Sequence, residues 1–452
     1  MNDWSEYIVE DVAAPTRNAL VGGPFGSNLV SKDYVESGVP VIRGQNMGLG
    51  KWVMGEFVFV SPEKARELAA NIAKPGDLVF TQRGTLGQVA IVPDETYEQY
   101  IVSQSQMKLT VDPEKADAHF LYYYFSTSEQ QEYIRQNSIQ TGVPHTNLTI
   151  LRNTPLYLPP LIEQRAIAEI LGSLDDKIET NRRMNETLEA TARTIFKSWF
   201  MDFDPVHYKS RGETPPGMDA DTAALFPDSF DDTELGLIPA GWQVEPLSNH
   251  IIARKGLSYK GDGLTDVDGG IPMHNLNSVY EGGGYKYEGM KFYSGDYQER
   301  HIARAGDVIV TNTEQGHDLL LIGYPALVPN RYPTGLYSHH LYRVIPRKGS
   351  HITPRFIYFL LRTHSFHDVI GGYTNGTTVN MLPSDALERP LFVVPSPEII
   401  SRFDEIVVPI LEKMEANHDT SERLVELRDM LLPKLVSGEI RVDEVEDVEE
   451  LP

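Results

Sequence analysis

The sequence predicts an α+β molecule: two similar mixed α/β domains, related by a pseudo-twofold, held apart by two long antiparallel helices. Three observations carry this. Ala73-Lys74-Pro75-Gly76-Asp77-Leu78-Val79-Phe80-Thr81 returns 230 residues later as Ala303-Arg304-Ala305-Gly306-Asp307-Val308-Ile309-Val310-Thr311. Pro155-Leu156-Tyr157-Leu158-Pro159-Pro160 returns after 235 residues as Pro390-Leu391-Phe392-Val393-Val394-Pro395. Each copy then enters a long helical pattern, Glu163 to Phe200 and Glu398 to Val436. A period this long is no solenoid, because the unit is large enough to hold its own core. A duplicated unit on one chain suits a two-part target.

The order along the chain is then a first domain at 1–160, a helical spacer at 161–200, an acidic connector at 201–235, a second domain at 236–395, a second helical spacer at 396–435 and an acidic tail at 436–452. In the first domain, β-rich runs between Gly and Pro turns predict strands at Val39–Ile42, Asp77–Phe80, Gln88–Val92 and Gln106–Leu109. In the second, Asp307–Val310 and Leu341–Ile345 read the same way. A helix follows in each, Ala118 to Gln136 and Pro354 to Ile370, carrying the matched patches Phe120-Leu121-Tyr122-Tyr123 and Phe356-Ile357-Tyr358-Phe359. Core packing against a sheet explains those patches. Polar, glycine-containing loops come next, Gln140 to Asn147 and Tyr373 to Asn380.

The long helical patterns are interrupted at matching places. Gly172 precedes Ser173-Leu174-Asp175-Asp176, which has the form of a capping box, and Pro409 suits the first turn of a helix. A short helix, a break and a long helix are therefore expected, with Pro433 ending or kinking the second. The long piece 174–200 has 27 residues, about 40 Å at ~1.5 Å per residue. A heptad stripe runs through Leu174, Ile178, Asn181, Asn185, Leu188, Ala192, Ile195 and Trp199. Its partner runs through Ile410, Met414, Asn417, Ser421, Leu424, Arg428, Leu431 and Leu435. The apolar members form the expected interhelical seam, and the Asn and Ser positions are candidates to set its register.

Composition narrows the class. The chain has no cysteine, which excludes disulfides and cysteine zinc sites. Met1-Asn2-Asp3-Trp4-Ser5-Glu6 lacks a signal-peptide layout, and no apolar run is long enough to span a bilayer. A soluble, cytoplasmic protein with no membrane partner is expected. The net charge of −24 argues at first sight against nucleic acid. More than half of it sits in two segments: 201–235 has 9 acidic and 2 basic residues, and 436–452 has 7 and 1. The second domain balances 14 acidic against 14 basic residues, and the first has 18 against 12. Neither domain is basic, so DNA affinity of the chain alone should be modest.

No catalytic constellation emerges. Gly48-Leu49-Gly50-Lys51 runs into Trp52, where a phosphate-binding loop needs Ser or Thr. Gly22-Gly23-Pro24-Phe25-Gly26 reads as a turn. His339 and His340 are adjacent, so on a strand they face opposite ways and cannot share a metal. No catalytic residue and no metal site is assigned.

Each domain does carry polar loops at matching places. Arg43, Gln45 and Asn46 follow the first-copy strand Val39–Ile42, as His274, Asn275 and Asn277 follow Ile271-Pro272-Met273. Thr81, Arg83 and Thr85 follow one Gly-Asp strand, and Thr311, Asn312, Thr313 and His317 the other. Thr141, His145 and Asn147 occupy the later loop of copy one, and Tyr373, Asn375, Thr377 and Asn380 that of copy two. Arg reads guanine, and Asn and Gln read adenine, at base edges in the major groove. The same residue types are ordinary turn formers. Recurrence at equivalent positions with different residues favours one scaffold tuned to two DNA targets.

Longer motifs carry a family resemblance. They are Leu158-Pro159-Pro160-Leu161-Ile162-Glu163-Gln164-Arg165-Ala166-Ile167-Ala168, Leu174-Asp175-Asp176-Lys177-Ile178, Phe196-Lys197-Ser198-Trp199-Phe200-Met201-Asp202-Phe203-Asp204-Pro205-Val206, and Leu431-Leu432-Pro433-Lys434-Leu435-Val436-Ser437-Gly438-Glu439-Ile440. With Gly76-Asp77 and Gly306-Asp307, they resemble the specificity subunit of Type I restriction–modification systems, in order and over nearly the whole chain. The second copy departs at Pro397-Glu398-Ile399-Ile400, where only Glu398 remains of a Glu-Gln pair.

The resemblance implies two target-recognition domains, each reading one half of a bipartite site in double-stranded DNA, with the helices measuring the gap. It implies two methyltransferase subunits as partners, which bind S-adenosylmethionine and methylate adenine, and restriction subunits using ATP and Mg where the system includes them. It assigns no cofactor and no catalysis to this chain. Two other classes remain open: a specificity-like subunit of another methylation or defence assembly, and a coiled-coil scaffold binding protein or sugar.

Overall fold

A computed structural model describes residues 4–48, 50–94, 96–140, 144–315, 319–376 and 379–442. The chain divides into two compact units, 1–181 with 419–452, and 182–418.

The first unit holds three sheets. Ser5–Ile8 pairs antiparallel with Pro155–Leu158, so the domain's two ends close on each other. A four-stranded sheet runs in the order Leu20–Gly22, Gln106–Leu109, Leu78–Thr81, Val89–Ile91. A five-stranded sheet runs Tyr34–Val35, Val58–Val60, Val39–Ile42, Tyr100–Val102, Ile72–Ala73, with its one parallel pairing at Val41↔Ile101. The second unit repeats every step. Gln243–Pro246 pairs with Leu391–Val394. The four-stranded order is Ile251–Lys255, Leu341–Pro346, Val308–Thr311, Pro325–Leu327. The five-stranded order is Leu264–Thr265, Lys291–Tyr293, Ile271–His274, Thr334–Tyr337, Ile302–Arg304, with parallel pairing at Met273↔Leu336. The α+β duplication read from two short motifs is thus one topology used twice.

The repeated Gly-Asp motif has a structural cause. Gly76 and Gly306 both sit at φ +82°, a left-handed turn that suits glycine. The aspartate then accepts a hydrogen bond from the backbone three residues back, Lys74 N at 2.9 Å and Arg304 N at 2.6 Å. It also meets a cation on the adjacent strand: Lys108 with Asp77 at 3.1 Å, Arg343 with Asp307 at 2.8 Å.

Each predicted domain helix is two helices. Ala118–Ser126 and Ser128–Gln136 meet at Thr127, which is extended and whose hydroxyl accepts from Gln130 N. Pro354–Leu361 and His364–Gly371 break at the matching Thr363, also extended. The aromatic patches pack as expected: Phe120, Leu121 and Tyr123 lie in the first core, and Phe356, Ile357 and Phe359 in the second.

The long helices, in contrast, are unbroken, Leu161–Phe200 and Pro397–Ser437. The expected breaks at Gly172-Ser173 and Pro409 do not occur, and the second helix continues past Pro433 to Ser437. Ser173 bonds back to Ile170 O at 2.8 Å instead of capping a new helix. Gly172 is buried, and a Cβ there would lie 3.6 Å from Lys51 Nζ and 4.0 Å from Tyr123 OH. These are ordinary contact distances, so an alanine would fit at this position. Pro409 is exposed, so its ring meets solvent. Packing along the helices outweighs these local breaking signals.

Within each unit the helix segments run antiparallel. In the first, Asp175 pairs with Arg428 at 2.8 Å and Asn181 Nδ2 donates to Ser421 Oγ at 3.2 Å. In the second, Asn417 Nδ2 donates to Asn185 Oδ1 at 2.9 Å, and the Phe196 and Phe403 rings lie 5.6 Å apart. The seam is thin where it is purely interhelical: Ile178, Leu188, Met414 and Leu424 are only half-buried, and Ile410, also half-buried, packs against the second core. Its outer members do more. Leu174, Leu431 and Leu435 join the first domain's core, and Ile195 and Trp199 the second's, where Trp199 meets Phe226 edge-on at 5.2 Å. The acidic 201–235 stretch folds as well, with Val206 and Phe226 buried in the second core.

One prediction follows from the polar middle of the seam. Asn181 and Asn417 are each 3% exposed. Asn417→Ala should leave Asn185 short of a partner and cost about 1–2 kcal/mol. Denaturant titration of the purified chain checks it.

Candidate nucleic-acid interface

The structure sorts the polar loop residues into those it uses internally and those it presents. In the first unit, Asn46 is fully buried: its Oδ1 accepts from Arg43 N at 3.0 Å, and its Nδ2 donates to Met54 O and Glu56 O at 3.1 and 2.9 Å. Thr81 is 3% exposed and bonds Gln88 at 3.3 Å. Asn147 caps the helix Leu148–Arg152 through Ile150 N at 2.9 Å. Arg43 is half-buried. Gln45, Arg83 and Thr85 are exposed. The main chain ties two of the predicted loops together, because Arg83 and His145 form an antiparallel bridge and Thr146 N donates to Gln82 O at 3.0 Å. Gln45 Nε2 donates to Glu56 O at 3.0 Å, which leaves its amide oxygen exposed.

In the second unit most expected readers are interior. His274 is fully buried, with Nδ1 on Tyr285 OH at 2.9 Å. Asn275 donates to Met273 O at 3.1 Å and accepts from Asn277 N at 2.9 Å. Thr311 bonds the carbonyls of Leu321 and Tyr324. Asn312 donates to His339 O at 3.1 Å, and Thr313 bonds His340 Nδ1 at 2.8 Å. These five, with Asn46 and Thr81, cannot present their polar atoms to base edges. Asn46, Asn275, Thr311 and Asn312 satisfy backbone groups, as Asn and Thr commonly do in turns, while Thr81, His274 and Thr313 bond neighbouring side chains. Asn277 and Asn375 are exposed. Asn380 is half-buried in the short pairing of Thr313–Gln315 with Val379–Met381, and the half-buried Tyr373 carries the Arg389 guanidinium 5.5 Å from its ring centre. Thr141, His317 and Thr377 lie outside the described residues.

Burial alone lowers the His274 pKa to about 4, so the ring is neutral in the folded protein. Its folded pKa lies below the unfolded value. Stability is therefore fully present above about pH 6.5 and falls as pH drops toward 4, by up to about 3 kcal/mol. Denaturation of the chain at pH 7 and pH 4.5 should show this loss, and His274→Phe should reduce the difference.

Each domain is also bolted to the long helices by a matched tyrosine. Tyr123 OH donates to Asp175 Oδ2 at 2.7 Å, and Asp175 in turn pairs with Arg428. Tyr358, 235 residues on, accepts from Arg362, which pairs with Glu189. Burial pushes both phenols well above the ordinary tyrosine range.

One cluster was not anticipated. Arg254, Lys255, Ser258, Arg300 and His339 line a common cleft in the second unit. The adjacent pair Arg254-Lys255, closing an apolar strand, was the available signal.

Residues 31–190 match the family described as the Type I restriction modification DNA specificity domain. The chain is 26% identical to the Type I restriction enzyme HindI specificity subunit of Haemophilus influenzae, covering 97% of this chain and 100% of that protein. It is 25% identical to the MjaIX specificity subunit of Methanocaldococcus jannaschii, covering 98% and 95%. The crystal structure of a Type I restriction-modification S subunit from M. genitalium shares the fold, with a TM-score of 0.59 at 15% identity over 96% of both chains. The similarity to Type I restriction enzyme specificity subunits thus runs along nearly the whole chain.

Proposed function

We propose that this chain is the DNA-reading, non-catalytic subunit of a Type I restriction–modification complex. Each unit reads one half of a bipartite double-stranded site. The observation that carries the reading is the duplication itself: one topology, presented twice, with different exposed side chains, Gln45 against Asn277 in one matched loop, and Arg83 and Thr85 in the first unit and Asn375 in the second at the other loops. Side chains of these types can bond base edges, and a change at one domain leaves the other untouched. The full-length similarity to specificity subunits supports the same reading. The long helices, which contribute to both units, serve as the spacer and as the seat of two methyltransferase subunits.

Methylation of adenine belongs to those partners, which supply S-adenosylmethionine. Restriction subunits, where present, add ATP and Mg chemistry. The complex works on cytoplasmic DNA. No helix among the described residues is long and apolar enough to cross a membrane.

Substitution of exposed loops tests the assignment. Gln45→Ala with Arg83→Ala should alter one half-site only, and Asn277→Ala with Asn375→Ala the other. Removing a true base-reading side chain should cost about 1–3 kcal/mol. Uniform weakening on every sequence would make these residues backbone contacts and sink the half-site assignment.

A further inference from the structure

The cleft lined by Arg254, Lys255, Ser258, Arg300 and His339 has a volume of about 700 Å³. Arg254, Lys255 and Arg300 are exposed. The carboxylate beside Arg300 on the chain is committed elsewhere, Glu299 pairing with Arg304 at 2.8 Å, and Asp307 pairs with Arg343 at 2.8 Å. The Nδ1 atom of His339 is buried and, among the described residues, has no hydrogen-bond partner.

Topology gives Arg254, Lys255, Arg300 and His339 each a counterpart in the first unit. Ile251–Lys255 and Leu20–Gly22 are the edge strands of the two four-stranded sheets, registered at Lys255↔Tyr342 and Gly22↔Met107. A glycine follows each. Gly256 N donates to Leu341 O at 3.2 Å, and Gly23 N to Gln106 O at 2.8 Å. A Cβ on either would strike main chain, Ser338 O at 2.3 Å or Ser103 O at 1.8 Å. Arg254 and Lys255 therefore correspond to Val21 and Gly22. The turn Glu299–His301 precedes Ile302–Arg304 as Ala69–Asn71 precedes Ile72–Ala73, so Arg300 corresponds to Ala70. His339 corresponds to Gln104. Where the second unit places three cations, the first has an apolar side chain, a glycine and an alanine, and Asn71 Nδ2 donates across to Gly22 O at 2.8 Å.

We propose that this cleft grips the phosphate backbone of the DNA at the second half-site, and that the first unit has no equivalent grip. The inference rests on the DNA-reading function above. On a chain of net charge −24, three exposed cations in one cleft are a local reversal of sign. Phosphate contacts hold register without reading sequence, so they need no counterpart in the other domain. The salt-sensitive part of the affinity is then carried unequally by the two units.

The test uses the full chain in complex with its methyltransferase partner, binding a duplex that contains its methylated site across a salt series. The combined change Arg254→Gln, Lys255→Gln and Arg300→Gln should lower the slope of log K against log salt by about 0.9 for each phosphate released, so by about 2 to 3. The methylated sequence should stay the same. As a converse, Val21→Arg with Ala70→Arg in the first unit should steepen the slope. An unchanged slope in the Gln variant, with site binding intact, overturns the cleft while leaving the DNA-reading function standing. An altered methylated sequence also overturns it, because the three side chains would then be reading bases. Failure of the unsubstituted complex to bind any DNA defeats the function and the inference together.

Discussion

Replacing Lys108 with alanine is expected to destabilise the first unit by about 3–5 kcal/mol, the cost of leaving a buried charge without its partner. Lys108 and Asp77 are 8% and 4% exposed and 3.1 Å apart, Lys108 on one strand of the four-stranded sheet and Asp77 just before the adjacent strand. Lys108 also donates to Thr110 Oγ1 at 3.0 Å. Alanine would strip Asp77 of its cation while leaving it buried. Hydrogen exchange should quicken in Gln106–Leu109 and Leu78–Thr81 before the rest of the chain. The double change Lys108→Met with Asp77→Asn removes both charges and keeps an acceptor for Lys74 N, so it should recover most of the loss. Arg343→Ala, in the copy whose pair is 14% and 19% exposed, should cost less. A Lys108→Ala chain as stable as the parent would mean that the pair contributes only shape.

The second large effect is on specificity. A four-residue insertion between Asn181 and Asn185 would lengthen the first helix by about 6 Å. The matching insertion belongs between Asn417 and Ser421, because Asn181 meets Ser421 and Asn185 meets Asn417. The doubly inserted chain should direct methylation to a site with the same two halves and a gap longer by about one or two base pairs, at ~3.4 Å each. Either insertion alone would offset one polar pair against the other and should abolish assembly. A folded, active double insertion that keeps the original gap would place the ruler outside these helices.

What was legible in the sequence followed physical scale. The duplication showed itself as repeated motifs, and strands such as Val39–Ile42 and Gln106–Leu109 as β-rich runs bounded by turn residues. Two-residue and three-residue strands such as Tyr34–Val35 and Tyr100–Val102 are too short to show a period and exist through pairing with distant neighbours. Gly172 and Pro409 misled because local propensity counts for little in a helix packed along its length. The site residues were the least legible. Asn46 and Gln45 are adjacent and chemically alike, yet one is inside its loop and the other outside. Only the folded turn, with Met54 and Glu56 carbonyls waiting, distinguishes them. Arg254 and Lys255 went unremarked because their meaning lies in the contrast with Val21 and Gly22, which strand register reveals.

Genome-wide mapping of N6-methyladenine tests the central claim most directly. The chain is expressed with its methyltransferase partner, in parallel with the partner alone. One two-part motif with a fixed gap is expected, methylated only when the chain is present, and its halves should change separately with loop substitutions in the two units. The same motif methylated without the chain, or none that depends on it, would contradict the assignment of sequence reading to this protein.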